Sequence, residues 1–274
     1  MMSGAVGRRV CTVMHVLYID PEPLTTVRYL NAARGGGTES RLVRVVRAVV
    51  DGLPQGLGAL VATADLQGVV PDPVTRESVL LGIAVVQALE GLAADGALPA
   101  LATCGALLAG DLYSVPGADK RGGFGDVRPV WAEFARAFRW VAGVAGNHDD
   151  VSHVKNIANA HLLDMASVEL DGLRVAGVGL ICGNPAKKGR RAEHDQLERI
   201  ELMCSARPNV LVLHEGPTGD GEQQGGSDRI AEVLADEPPR LTVCGHEPWP
   251  NALSGPTSQV LNVCERVVVM MRAT

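Results

Sequence analysis

The chain has 274 residues, 46% of them hydrophobic, enough to bury the core of one large α/β domain or two small ones. Charged residues make up 20% and the formal net charge is −6, which argues against a general nucleic-acid binder, because neutralising phosphates takes a basic surface. Aromatic residues are only 3%, so Val, Leu and Ala must fill most of the core.

The apolar run at 10–19 follows Arg8 and Arg9 and loosely imitates a signal peptide. It ends in Asp20-Pro21-Glu22-Pro23 with no small-residue cleavage site, and reads as a strand. Residues 40–50 read as a helix, 57–64 as a strand and 76–94 as a helix. The longest apolar segment, 79–89, is too short to span a bilayer. A strand at 101–109 precedes a helix at 128–138, where Pro129 suits the first turn and Trp131, Phe134, Ala135 and Phe138 share one face. Residues 140–145 read as a strand, and 167–180 as a hairpin turning at Asp171-Gly172. Then follow a helix at 193–205, a strand at 210–213, a helix at 228–234 and a strand at 241–244, with a second hairpin over 259–271 closing the sheet. Several of the strands are almost continuously apolar, as expected when both faces are covered. Two polar, Gly-rich loops, 114–127 and 217–228, are too long to be simple turns and lie beside strand ends. No repeat or linker divides the chain, so 1–274 reads as one domain in which 1–56 adds an N-terminal strand and helix.

Six Cys are present (Cys11, Cys104, Cys182, Cys204, Cys244 and Cys264), none in a C-x-x-C pair and most in apolar stretches. They read as reduced, buried thiols of a soluble, cytoplasmic protein. An enzyme built on a reactive Cys has no supporting environment in the sequence.

The informative regularity is positional: each polar cluster comes immediately after an apolar strand. LVATA runs into Asp65-Leu66-Gln67-Gly68, LLA into Gly110-Asp111, GVA into Gly146-Asn147-His148-Asp149, LVL into His214-Glu215-Gly216, and LTVC into Gly245-His246-Glu247. In α/β sheets the loops at strand carboxyl ends converge on one edge, where ligands bind. Five such loops would bring Asp65, Asp111, Asn147, His214 and His246 together. Carboxylate, amide oxygen and imidazole form a mixed donor set suited to Mn, Fe, Zn or Ni. A single Asp after a strand is usually a turn or cap, so the ordered set carries the reading. His15, His153, His161 and His194 fall outside it and receive no role.

The stretches ADLQG, AGDLY, AGNHDD, LHEGP and CGHEPW resemble, in order, the D-x-H, G-D, G-N-H-D/E, H and G-H-x-H pattern of calcineurin-like metallophosphoesterases, over about residues 57–271. The resemblance implies a four-layer αββα sandwich, two mixed β-sheets face to face flanked by helices. It also implies a phosphoesterase using two metals, with Asp111 bridging them, Asn147, His214 and His246 completing one site, and Asp65 in the other. His148, paired with Asp149, would assist the leaving oxygen. Two positions depart from the pattern: Gln67 and Pro248 replace two His, and both losses fall on the metal held by Asp65. One tight divalent metal is therefore expected, with the Asp65/Gln67 site weak or empty; Glu247 reads more simply as a solvated carboxylate than as a substitute ligand.

These features make the chain a metal-dependent phosphohydrolase of phosphomonoesters or phosphodiesters, acting on a small phosphorylated substrate, with no membrane partner and no charge-based case for nucleic acid. The alternative is a weak or inactive single-metal relative serving as a binding or regulatory module. The basic stretch GNPAKKGRR at 183–191 reads equally as an anion-attracting rim or a solvated loop.

Overall fold

The computed structural model describes residues 14–71, 77–120 and 123–273. Residues 10–13 of the first expected strand, Arg76 of the second expected helix and Cys11 lie outside them.

The larger sheet has ten strands. From one edge it runs Ala160–Leu162, Trp140–Gly143, Gly105–Leu108, β4 (Leu60–Ala64), Arg266–Arg272, β3 (Thr38–Asp51), β2 (Thr25–Ala32), Val69–Pro71 and Ser78–Leu80, with β1 (His15–Ile19) paired to the far end of β3. The smaller sheet has six, in the order Ala166–Leu170, Leu173–Val178, Val210–Glu215, Leu241–Gly245, Gln259–Asn262 and Leu253–Ser254. Both sheets mix parallel and antiparallel pairs.

Side-chain alternation shows how the layers stack. In β4, Leu60, Ala62 and Ala64 share one buried cluster with Leu107, Ala142 and Val268 of the same sheet and with Val175, Val212, Val243 and Leu261 of the other. Successive strand residues point to opposite faces, so this cluster is the filling between two sheets packed face to face. Val61 points the other way, into a cluster with helices α1 (Leu81–Ala94) and α2 (Arg128–Ala137), which supply Leu81, Val85, Leu89, Trp131 and Phe134. The outer face of the smaller sheet (Ala176, Val178, Leu211, Leu213) packs against Ile200 and Met203 of α3 (Glu193–Ser205) and Ile230 and Leu234 of α4 (Asp228–Asp236). The result is the four-layer αββα sandwich. The central strands, Leu60–Ala64, Gly105–Leu108 and Trp140–Gly143, are almost wholly apolar because they are covered on both sides.

Two elements differ from the sequence reading. Residues 40–50 are strand, so segment 1–56 contributes β1, β2 and β3 rather than a strand and a helix, and β3 lies inside the larger sheet. Its Val43 and Val45 join the helix-facing cluster while Val46, Ala48 and Val50 join the inter-sheet one, a period of two that the Arg residues between them mask. Five β-branched residues in the run favour the strand as well. Residues 259–271 are not a hairpin: Gln259–Asn262 pairs with Leu241–Gly245 in the smaller sheet, and the chain then crosses at 263–265 so that Arg266–Arg272 enters the larger sheet between β3 and β4. The 101–109 run divides into a 3₁₀ turn and the strand Gly105–Leu108, and the 76–94 run into Ser78–Leu80 and α1. The hairpin at 167–180 turns through Asp171 (φ 51°) and Gly172 (φ 86°), both left-handed as a type I′ turn needs.

Candidate metal centre

β4, Gly105–Leu108 and Trp140–Gly143 of the larger sheet end just before Asp65, Asp111 and Asn147. Val210–Glu215 of the smaller sheet carries His214, and Leu241–Gly245 ends just before His246. The site therefore lies where the carboxyl edges of both sheets meet.

Asp111, His214 and His246 form its centre, their ligand atoms all within 4.8 Å of one another. The His214 ring is fully buried. Its Nδ1 lies 2.8 Å from the Ala109 carbonyl, which can only accept, so Nδ1 carries a hydrogen and, in the neutral ring, Nε2 keeps a lone pair. That lone pair faces Asn147 Oδ1 at 3.1 Å and Asp111 Oδ1 at 3.5 Å. Three electron-rich atoms thus converge in a buried space, an arrangement that calls for a cation between them. The imidazole–carboxylate–amide donor chemistry suits a divalent transition metal, and the Ala109 carbonyl orients the His214 ring from behind, as is usual for a ligating imidazole.

Protons can serve as the cation instead. Burial would depress His214, but the Asp111 carboxylate outweighs it and pushes the imidazole up to about 10. Burial opposes ionisation of Asp111 too, yet His214 and His148 hold its carboxyl below the usual range. Asp65 is pushed up to about 7, chiefly by burial. Both raised groups bind protons more tightly folded than unfolded. Their stabilisation is complete below their ordinary values and is lost as pH rises through about 7 for Asp65 and about 10 for His214. Chelator-treated protein should accordingly show a melting temperature that falls steadily from pH 5 to pH 10. Added divalent metal, which displaces the proton, should raise it more at pH 9 than at pH 6. A flat melting profile across that range would contradict the arrangement.

Asp65 and Gln67 stand differently from the trio. Asp65 Oδ2 accepts the His246 amide at 2.8 Å, and the Cys264 thiol also donates to this carboxylate. Gln67 turns its Nε2 to Asp111 Oδ2 at 3.0 Å, presenting a donor rather than a ligand oxygen. Pro248 and Glu247 are exposed. Asp65, Asp111 and His246 all adopt left-handed backbone (φ 56°, 57° and 70°), uncommon outside Gly. Close approach explains Gly146, where a Cβ would lie 2.0 Å from Asp111 Oδ1 and 2.2 Å from its backbone nitrogen.

His148 and Asp149 part company. His148 Nδ1 is held by the Gly123 carbonyl at 2.6 Å, and its Nε2 lies 3.9 Å from Asp111 Oδ2. The Asp149 carboxylate instead accepts backbone N–H groups from Asp111, Leu112, Tyr113 and Gly146 at 2.7–3.2 Å. Burial, with the Asp111 charge adding, pushes it up to about 6, and the four amides keep it ionised at neutral pH. It ties the Gly-Asp loop to the Gly-Asn-His-Asp loop. Gly123 lies in the 114–127 loop that the sequence singled out, but nothing in the sequence marks which carbonyl would meet His148.

In the basic stretch, Arg191 is committed to both oxygens of Asp164 and to Gln196, and Lys188 lies 4.7 Å above the Phe124 ring. Gly189 packs against the Asn147 backbone so closely that a Cβ would meet its carbonyl oxygen at 2.2 Å. The stretch thus braces the site's wall.

Fold and site together give a four-layer αββα sandwich with a cluster able to hold a metal ion, Asp111, His214 and His246, at the joined sheet edges. The chain is similar to TT1561 of Thermus thermophilus (17% identity, 75% of this chain and 88% of that one, TM-score 0.51). It is also similar to the phosphopantetheinyl hydrolase of Mycobacterium tuberculosis (14% identity, 76% and 89% covered, TM-score 0.48). These likenesses concern the fold alone. No protein-family model matches the chain, and comparison with the curated proteins gives no match. Among the described residues, no helix is long and apolar enough to cross a membrane.

Proposed function

We propose that the protein is a metal-dependent phosphohydrolase that cleaves phosphoester bonds at this site. The observation that carries the reading is the convergence of the His214 lone pair, Asn147 Oδ1 and Asp111 Oδ1 in a buried space beside His246. Asp111, Asn147, His214 and His246 would hold one divalent ion. Such an ion supplies Lewis acidity toward the phosphoryl oxygens and lowers the pKa of water.

The chain's own groups do the rest. Asp111 is held by the His148 amide at 2.9 Å and by Gln67, which fixes its oxygens in place. With Nδ1 on the Gly123 carbonyl, Nε2 of His148 is the atom left to pass a proton to the leaving oxygen. Gln67 puts the positive end of an amide dipole against Asp111 Oδ2, offsetting charge on the side where Gln67 and Pro248 stand in place of imidazoles. One tightly held ion per chain is the expected stoichiometry. Elemental analysis at limiting metal should return about one equivalent, and two tightly held ions would refute the single-site reading.

Turnover of 4-nitrophenyl phosphate and bis(4-nitrophenyl) phosphate with added manganese tests the activity. The Gln67–Asp111 hydrogen bond also favours a second reading, a single-metal binding module without catalysis. Folded, metal-loaded protein that hydrolyses neither ester with any divalent ion would establish that reading instead.

A further inference from the structure

A cavity of about 260 Å³ opens beside the site and shares Gln67 and His148 with it. Its far wall comes from the N-terminal strands. Asn31 of β2 stands opposite Glu39 of β3, and Arg41 lies two residues further along β3, so Asn31 and Arg41 face the same side of the sheet. Glu265, at the crossover between the sheets, completes that wall.

The chemistry of the lining is specific. Asn31 lines the cavity, and with its Oδ1 accepting the Ala32 amide at 2.7 Å its amide N–H groups are the donors it has to offer. Arg41 pairs with Glu265 at 3.1 Å and with Glu39 at 2.7 Å, so its charge is balanced and it offers directed N–H groups rather than a bare cation. Glu265 supplies a carboxylate acceptor, Tyr113 and Ser114 add hydroxyls, and Lys120 adds an ammonium donor at the rim. An acyl or aryl group placed here would strip water from an ion pair and return nothing. A group bearing several hydroxyls satisfies donors and acceptors together, and a carboxylate beside a guanidinium suits neighbouring hydroxyls on one ring. At about 30 Å³ per water, the space corresponds to roughly nine waters, the scale of a single sugar ring.

We propose that this cavity is the leaving-group subsite and that it takes a hydroxyl-rich group, a sugar or ribose ring, with Asn31, Arg41 and Glu265 as its specificity-determining residues. The substrate class is then a sugar phosphate or a sugar-bearing phosphodiester. The inference rests on the proposed hydrolase reading for its chemistry, but the two fail separately. Phosphate release from 4-nitrophenyl phosphate by manganese-loaded protein reports on the reading, whereas relative binding reports on the subsite.

Calorimetry on the manganese-loaded full chain should find ribose 5-phosphate bound at least about 10-fold more tightly than inorganic phosphate, the gain from one or two hydrogen bonds to charged groups. In Glu265→Gln and Asn31→Leu, the ratio of kcat/KM for ribose 5-phosphate over 4-nitrophenyl phosphate should fall about 10-fold or more. Two variants in different segments, one on β2 and one at the crossover between the sheets, each checked for an unaltered melting temperature, guard against a folding defect. Equal binding of inorganic phosphate and ribose 5-phosphate, or a selectivity ratio unmoved in both folded variants, would overturn the assignment.

Discussion

His148→Ala is expected to lower kcat by about 10²–10⁴-fold, the usual contribution of a positioned proton-transfer group, while metal content per chain stays at that of the unmodified protein. The His148 side chain is outside the Asp111–His214–His246 cluster, and the backbone N–H through which His148 grips Asp111 survives the substitution. Loss of rate with retained metal is thus the signature of a group acting on the substrate. The effect should be smaller for 4-nitrophenyl phosphate than for an alkyl ester, because 4-nitrophenolate leaves without protonation. Equal losses on both substrates would assign His148 to holding the phosphoryl group. A loss of bound metal would move it into the coordination shell.

The second large effect concerns stability. Asp149→Ala is expected to destabilise the protein by about 4 kcal/mol or more, since it abandons four buried amide donors and each costs about 1–3 kcal/mol when left unsatisfied. Against a total stability of about 5–15 kcal/mol for a domain, that loss leaves the fold marginal, and urea denaturation at pH 7 measures it. Asp149→Asn should lie between the two proteins, because it keeps the oxygen acceptor but turns an amide N–H toward backbone donors. Four backbone partners and no contact with the His148 ring make Asp149 the fastener of two loops. An Asp149→Ala protein that unfolds at the original urea concentration yet has lost its rate would restore Asp149 to a catalytic pair with His148.

How much was legible in the sequence follows from the physics of each element. Strands such as Leu60–Ala64 and Val210–Glu215 announce themselves because burial on both faces leaves a continuous apolar run, and the polar residues after them mark the sheet edge. β3 hid because its Arg residues break the run and its apolar positions fit a helical spacing as well as an alternating one. The crossover at 263–265 was invisible because local pattern reports that two strands exist and says nothing of which sheet each joins. At the site, residue types and order sufficed to nominate Asp111, His214 and His246. The directions in which Gln67, Asp65 and Asp149 turn depend on neighbours far along the chain: Asp111, His246 with Cys264, and the amides of two loops. No spacing encodes those choices.

The path of Arg266–Arg272 has a consequence for how the molecule assembles. This strand is the seam between β3 and β4, pairing with Arg44–Val50 on one side and Leu60–Ala64 on the other. The two neighbours it joins precede it by roughly two hundred residues, a separation that makes loop closure slow. Until that late segment arrives, β3 and β4 each present an open edge able to capture a foreign strand. Folding yield should therefore respond to substitutions in Val267–Met270 far more sharply than to equally buried ones in the smaller sheet, and a nascent chain stalled before residue 266 would be the species most in need of a chaperone.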